Sequence, residues 1–277
     1  MSMEKERVVS MIEVVRKEVP LVHHITNYVT VNDCANAVLA IGASPIMADD
    51  IKETADITSI SKALVLNIGT LNERTISSMI ASGKKANELR IPVVFDPVGA
   101  GASTFRNETT KRILDNVKVS IIRANLSEMS YIAGIAASTK GVDTAKEDEG
   151  NDPVFVAKSV AKMYHCIAAV TGKVDIVSDG ERVAGLSNGT ALLSKVTGTG
   201  CMTSALTGAF AGIVADSLEY DYFHAACAGI SSMSIAGELA KRQFAESGTG
   251  SFHVGIIDYL SKMDQELMKE YINMEIK

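Results

Sequence analysis

Tryptophan is absent from this chain, aromatic residues make up only 5% of it, and its four cysteines are scattered. Each shortage excludes something. Cys34, Cys166, Cys201 and Cys227 form no CxxC pair and no metal-finger spacing, which leaves buried or individually functional thiols and no disulfide framework. The histidines at 23, 24, 165, 224 and 253 make no metal pattern such as HExxH. No apolar run approaches the ~20 residues that cross a bilayer. The N-terminal MSMEKERVVSMIEVVRKEVP is charged and lacks the apolar core of a signal peptide, so a cytoplasmic protein without a membrane partner is expected. Basic residues are outnumbered, and the net charge of −6 argues against a nucleic-acid surface. A Walker A motif, GxxxxGK[ST], is also missing, which excludes a P-loop enzyme.

What is present is apolar and periodic. Nearly half of the 277 residues are hydrophobic, enough for a large core, and α/β folds reach this length undivided, so one domain over 1–277 is expected. Residues 3–18 have the spacing of an amphipathic helix, ended by Pro20. Short apolar strands are expected at 21–26, 44–48, 63–68, 92–96, 119–122, 167–171 and 174–178. The last joins 182–186 in a hairpin through Asp179-Gly180. Helices are expected at 30–41 with Gly42 as C-cap, and at 51–61, 72–89, 107–116, 126–132, 157–164, 222–246 and 251–268. Apolar strands alternating with helices predict an α/β fold with a mostly parallel central sheet and helices on both faces. The polar, acidic stretch 139–152 reads as a surface loop.

In open α/β sheets the ligand sits at the carboxyl ends of the strands. There this chain carries Asn27, Met47, Asn67, Asp96 with PVGAG, Arg123-Ala124-Asn125-Leu126-Ser127-Glu128, and Thr171-Gly172. Asp96 would hold a cation or its water, or cap a turn before Pro97. Asn125 and Glu128 lie three apart, as oxygen ligands for Mg²⁺ or as an N-cap and its capping-box partner. Arg123 would pair with a phosphate or with a surface acid. Met47 would line an apolar ligand pocket or pack in the core. His23, His24 and His253 read as satisfied structural histidines.

The stretch VTGTGCMTSALTGAFAG, from Val196, has glycines for a tight turn and then a small-residue helix. Its start, Gly198-Thr199-Gly200-Cys201, exposes unpaired N–H groups at the positive end of the helix dipole, an anion hole suited to phosphate. A helix start would also favour the Cys201 thiolate. An anion hole, an Asn/Glu pair, an aspartate and an arginine together describe a phosphoryl-transfer site.

ITNYVTVNDCANAVLAIGASPIMADD, DPVGAGAS, RANLSEM, VTGTGCM and SFHVGIIDYL together resemble the hydroxyethylthiazole kinases of the ribokinase-like superfamily. The resemblance runs from about residue 21 to residue 260 and implies a three-layer ribokinase-like fold. It implies ATP- and Mg²⁺-dependent phosphorylation of the hydroxyl of 4-methyl-5-(2-hydroxyethyl)thiazole in thiamine salvage, by a homotrimer with active sites at subunit interfaces. By position it makes Met47 and Gly198 substrate-binding, Arg123 and Thr171 ATP-binding, Cys201 the candidate base, and Asp96 and Glu128 the metal and water positions; Asn27 is expected beside the substrate and Asn125 beside ATP as well. The superfamily more usually has aspartate where this chain has Cys201, and cysteine there is typical of the thiazole kinases. RANLSE departs from the family's frequent RGNASE at Ala124 and Leu126. Other readings remain open. One is a kinase for another small hydroxymethyl heterocycle, and one is a non-catalytic thiazole- or nucleotide-binding protein of the same fold. A thiol hydrolase using Cys201 lacks a histidine that can be placed beside it.

Overall fold

The computed structural model describes residues 2–135, 152–244 and 246–276. Strands β1 (Leu21–Ile25), β2 (Ser44–Met47), β3 (Ala63–Asn67), β4 (Val93–Asp96), β5 (Ile121–Asn125), β6 (Ile167–Thr171), β7 (Asp175–Ser178), β8 (Val183–Leu186) and β9 (Met274–Ile276) form one sheet. Its order is β2-β1-β3-β4-β5-β6-β7-β8-β9. The pairs from β2 to β6 are parallel, and those from β6 to β9 are antiparallel. Side chains alternate between two cores. Leu64 and Leu66 point to one and Val65 to the other, the period of two that a strand imposes.

The helices divide between the faces. On one lie α1 (Met3–Glu18), α2 (Val31–Ile41), α8 (Thr199–Ala211), α9 (Tyr222–Gln243), α10 (Thr249–Lys262) and α11 (Gln265–Tyr271). On the other lie α4 (Glu73–Leu89), α5 (Thr104–Asn116), α6 (Leu126–Ile132) and α7 (Pro153–Tyr164), and the short α3 (Thr54–Ser59) packs on α4. This is the three-layer α/β architecture expected from the alternation of elements. Gly42 is the expected C-cap, at φ 103°. No helix of the described residues is long and apolar enough to cross a membrane.

Helix α8 is buried on every side from Met202 to Ala211, its hydroxyls included. Its small residues set how close it lies. A Cβ on Gly208 would run into Val65 of β3, and one on Gly229 of α9 would come within 2.7 Å of the Thr207 Cα. Helix α8 thus lies directly on the Val65 and Val22 side chains of the sheet below and in near-backbone contact with α9 above, which fixes its N-terminus over the strand ends.

Some boundaries differ from expectation. Residues 251–268 form two helices, because Met263 is extended and Asp264 starts α11 by accepting the Leu267 N–H. The strand expected at 119–122 runs on to Asn125, which puts Arg123 on the strand. Ser103 caps α5 three residues early, and Asp152 caps α7 ahead of Pro153. Strand β9 pairs with β8 and was not expected. Of the acidic stretch 139–152, residues 139–151 lie outside the described residues.

Candidate active site

The chain goes from β1 out to β2, returns past β1 to β3, and then proceeds outward through β6. The order therefore reverses between β1 and β3, and a ligand crevice opens at the carboxyl ends of strands at such a point. Asn27 follows β1 and Asn67 ends β3 there. The register sets Asn67 beside Asp96 of β4, and Asn125 of β5 beside Thr171 of β6. Helix α8 brings Cys201 and Ser204, three apart and so on one face, onto the same spot.

Asp96 is wholly buried. Its Oδ2 accepts from Ser204 Oγ at 2.7 Å and from Asn67 Nδ2 at 2.9 Å, and lies 3.7 Å from Arg123 Nη1. Its Oδ1 is buried without a hydrogen-bond partner. Burial pushes its carboxyl above the usual range, against the pull of Arg123, Ser204 and Asn67. Glu128 is buried close by. Its Oε1 accepts from the Gly99 N–H at 2.7 Å and its Oε2 from the Asn125 N–H at 3.0 Å. Burial first, and the charge of Asp96 next, push Glu128 up to about 7. Arg106 donates to the carbonyls of Ile68, Val98 and Gly69, so it ties the loops after β3 and β4 together beneath the site.

Two cavities meet here. One, of about 670 Å³, is lined by Arg123, Asn125, Thr171, Asp175, Ala191 and Met233 among others. The other, of about 530 Å³, is lined by Asn27, Asp96, Glu128, Gly198 and Cys201 among others. They share Arg123, Asn125, Leu193, Ser194, Thr199 and Gly200. The start of α8 forms the wall between them. It has no side-chain cap, so its first N–H groups open onto the cavities. Arg123 Nη2 donates to Thr171 Oγ1 at 2.8 Å, and its Nε has no partner, which leaves donors for an anion.

Most residues singled out from the sequence meet at this junction, with corrections. Met47 lines neither cavity. It ends the edge strand β2, half-buried against the core. Asn125 and Glu128 do form a capping box at the start of α6. Cys201 does not have its thiolate favoured. Burial first and the charge of Asp96 next raise the thiol above its ordinary range, despite N–H donors from Asn27 and Asn67. A helix start lowers a thiol pKa only where water still reaches it. The left-handed glycine of the loop is Gly198, at φ 87°, where a Cβ would press on Thr30. His23 bonds Thr58 and the Ala48 carbonyl, and His253 bonds Asp33. His24 is not satisfied. It is buried with both ring nitrogens unpartnered, and desolvation pushes it down to about 3.

Asn67 was named at its strand end but given no role, and three residues were missed. Ser204 was legible as the helical neighbour of Cys201. Arg106 gave no local signal. Asp175 looked like an ordinary strand start after a turn. It is buried, accepts the Gly172 N–H at 2.9 Å and lines the larger cavity.

Residues 12–266 match the model of the hydroxyethylthiazole kinase family. The chain is 62% identical over 264 residues to a hydroxyethylthiazole kinase of Clostridium beijerinckii, with 94% of each chain covered. It is 60% identical over 271 residues to one of Ruminiclostridium cellulolyticum, covering 98% of this chain and 97% of that one. The solved structure of a hydroxyethylthiazole kinase protein from Pyrococcus horikoshii matches with a TM-score of 0.87 at 36% identity, over 98% of both chains. A pyridoxal kinase from Staphylococcus aureus, solved with AMP-PCP, shares the fold at a TM-score of 0.62 and 13% identity, covering 93% of this chain and 98% of that one.

Asp175 yields a prediction in stability. Burial pushes its carboxyl up to about 6, against the Gly172 N–H and the Arg123 charge. A carboxyl with a raised folded pKa destabilises the ionised protein, by an amount that grows from about pH 4 to pH 6 and then stays constant. Asp175→Asn keeps the acceptor for Gly172 and removes that charge. The variant is expected to melt higher than the parent at pH 7.5, by roughly 1–3 kcal/mol, and to lose the advantage near pH 4. Thermal melts across that range decide it, and a gain independent of pH contradicts the assignment.

Proposed function

The chain belongs to the hydroxyethylthiazole kinase family, and from that premise we propose how its two cavities divide the work. The reaction is phosphorylation of the hydroxyl of 4-methyl-5-(2-hydroxyethyl)thiazole on a ribokinase-like fold. ATP takes the cavity of about 670 Å³ and the thiazole alcohol the one of about 530 Å³. The observation that carries the reading is the wall they share, the uncapped start of α8 with Arg123 beside it.

The transferred phosphoryl group rests between the cavities on the N–H groups that begin α8, with Arg123 and Thr171 on the nucleotide side. The acceptor hydroxyl lies by Cys201. As its oxygen forms the new bond to phosphorus and the bond to the ADP oxygen breaks, its proton passes to Cys201 Sγ in its thiolate form, which becomes the neutral thiol. Phosphoryl transfer has a loose transition state in most analyses, so positioning and charge neutralisation carry most of the rate and the proton leaves late. Burial and Asp96 raise the Cys201 thiol, so the thiolate that accepts the proton grows as pH rises toward that elevated value.

The residues fit Mg²⁺. Asp96 Oδ1 is a buried oxygen without a partner, and Glu128 is a second buried carboxylate held high by burial and by Asp96. Among the described residues no three His, Cys, Asp or Glu cluster as a metal site. A cation held by two carboxylates, waters and substrate phosphates is the manner of Mg²⁺. Asp96 and Glu128 would hold it directly or through water, and when bound it neutralises charge on the phosphates.

A homotrimer with sites at subunit interfaces gives Met47 a place it lacks in its own chain, and it covers the exposed Tyr28 and Val29 by the smaller cavity. Sedimentation equilibrium tests this. A species of three 29.4 kDa chains is expected, and a monomer at working concentration excludes it.

Two substitutions test the chemistry. General-base assistance is worth roughly 10²–10⁴-fold. Cys201→Ala is therefore expected to retain measurable transfer from ATP to the thiazole alcohol. Cys201→Asp is expected to retain substantial activity, because a carboxylate suits the helix start. The parent rate should rise as pH climbs toward the elevated thiol pKa, and the Asp variant should lack that limb. A folded Asp variant without transfer removes Cys201 from the proton's path. Glu128→Gln keeps shape and capping but removes a charge, so its Mg²⁺ requirement should rise and its turnover fall more than tenfold, or ~1.4 kcal/mol. Unchanged Mg²⁺ dependence, with a stability loss alone, leaves Glu128 as a helix cap only.

A further inference from the structure

Asn67 has all four hydrogen-bonding positions of its amide in use, and it is buried. Its Oδ1 accepts from the Gly69 N–H at 2.9 Å and from Asn27 Nδ2 at 3.0 Å. Its Nδ2 donates to Asp96 Oδ2 at 2.9 Å and to Cys201 Sγ at 3.3 Å. The backbone N–H of Gly69 can only donate, so it fixes which end of the amide is oxygen. The NH₂ is thereby committed to the carboxylate and the sulfur. Asn27 is locked in the same way. Its Oδ1 accepts from the Thr30 N–H at 3.1 Å and from the Thr30 hydroxyl, so its Nδ2 must face Asn67 Oδ1 and, at 3.2 Å, Cys201 Sγ.

The sulfur therefore receives two N–H donors from amides that backbone groups hold in place. Its own proton has neither amide to go to, and the sulfur borders the smaller cavity. The same Asn67 NH₂, with Ser204, occupies Asp96 Oδ2 and leaves Oδ1 as the oxygen without a partner. One side chain thus orients both reacting centres of the site.

We propose that Asn67 is a positioning residue for phosphoryl transfer, locking Cys201 Sγ as a hydrogen-bond acceptor beside the alcohol cavity and turning Asp96 so that Oδ1 is its available oxygen. The reaction is the one proposed above, and the assignment of Asn67 to it rests on that reading. The state of the sulfur does not.

Asn67→Asp keeps the size and the oxygen that takes the Gly69 N–H, and it replaces the donating NH₂ with an acceptor. Its kcat is expected to fall at least 100-fold while KM for ATP and for the thiazole alcohol stays within about threefold, since no contact with either substrate is removed. Iodoacetamide labelling of Cys201 at pH 8, read by peptide mass in the protein without substrates, is expected to slow at least tenfold. Asn67→Ser keeps one donor and should fall between parent and Asp variant in both readouts. It guards against misfolding of the first variant, which melting curves check. A folded variant of either kind with parental kcat, or with parental labelling, overturns the proposal. A parent protein that labels as expected but transfers no phosphate to the thiazole alcohol sinks the functional reading instead, and the labelling series still decides whether Asn67 sets the sulfur.

Discussion

A wholly buried carboxylate has to be answered by its neighbours, and Asp96 is answered from three elements. Asn67 comes from the end of β3, Arg123 from β5 and Ser204 from α8. An isolated charge in a dry interior would be too costly to keep, so these partners are a condition of the fold as much as of the chemistry. Together they still leave Oδ1 unanswered and Asp96 raised. Glu128 is buried and raised beside it. Two acids held against their preference, with an arginine nearby, form a site whose electrostatics are completed by a ligand that brings positive charge to the carboxylates and negative charge to the arginine. ATP with a divalent cation has that chemistry.

The second constraint is distance. The N–H groups that begin α8 act on a phosphate only if the helix lies close over the strand ends. Glycine at 208 lets α8 settle onto Val65 of β3, and glycine at 229 lets α9 approach α8 almost to backbone contact. Gly198, in the left-handed region, turns the chain into the helix where a side chain would press on Thr30. The glycine-rich stretch therefore serves packing, and in the proposed function anion binding, through one property, the absence of side-chain volume. The same closeness dries Cys201, and this is why its thiol is raised although it stands at a helix start.

Much of the site could be read beforehand because its parts lie at strand ends, and strand ends follow from apolar runs. Asp96, Arg123, Asn125 and Thr171 were each reached in that way, and Cys201 from the glycine turn that opens a helix. Asn125 and Glu128 show the limit of spacing. Three residues apart is right for a capping box and for a shared face, and the structure has Glu128 doing the first while buried beside Asp96. Asn67 was placed at a strand end without a role and Asp175 was passed over, because the roles of both depend on what other strands and helices bring to them. Met47 was read as lining a ligand pocket or packing in the core, and within its own chain it packs half-buried against the core on the edge strand and lines neither cavity.

By itself the sequence determined the local matters: short apolar strands, helices including one C-capped at Gly42, a glycine turn into a small-residue helix, and hence a mostly parallel layered sheet. These depend on neighbours within a few residues, and propensity and spacing record them. The tertiary structure decided which side chains face one another and how dry each one is. The reversal of strand order between β1 and β3 brings Asn27 and Asn67 to Cys201, 174 and 134 positions away along the chain. Burial then raises the thiol that a helix start alone would lower, because desolvation and the charge of Asp96 act across space and no local pattern encodes them.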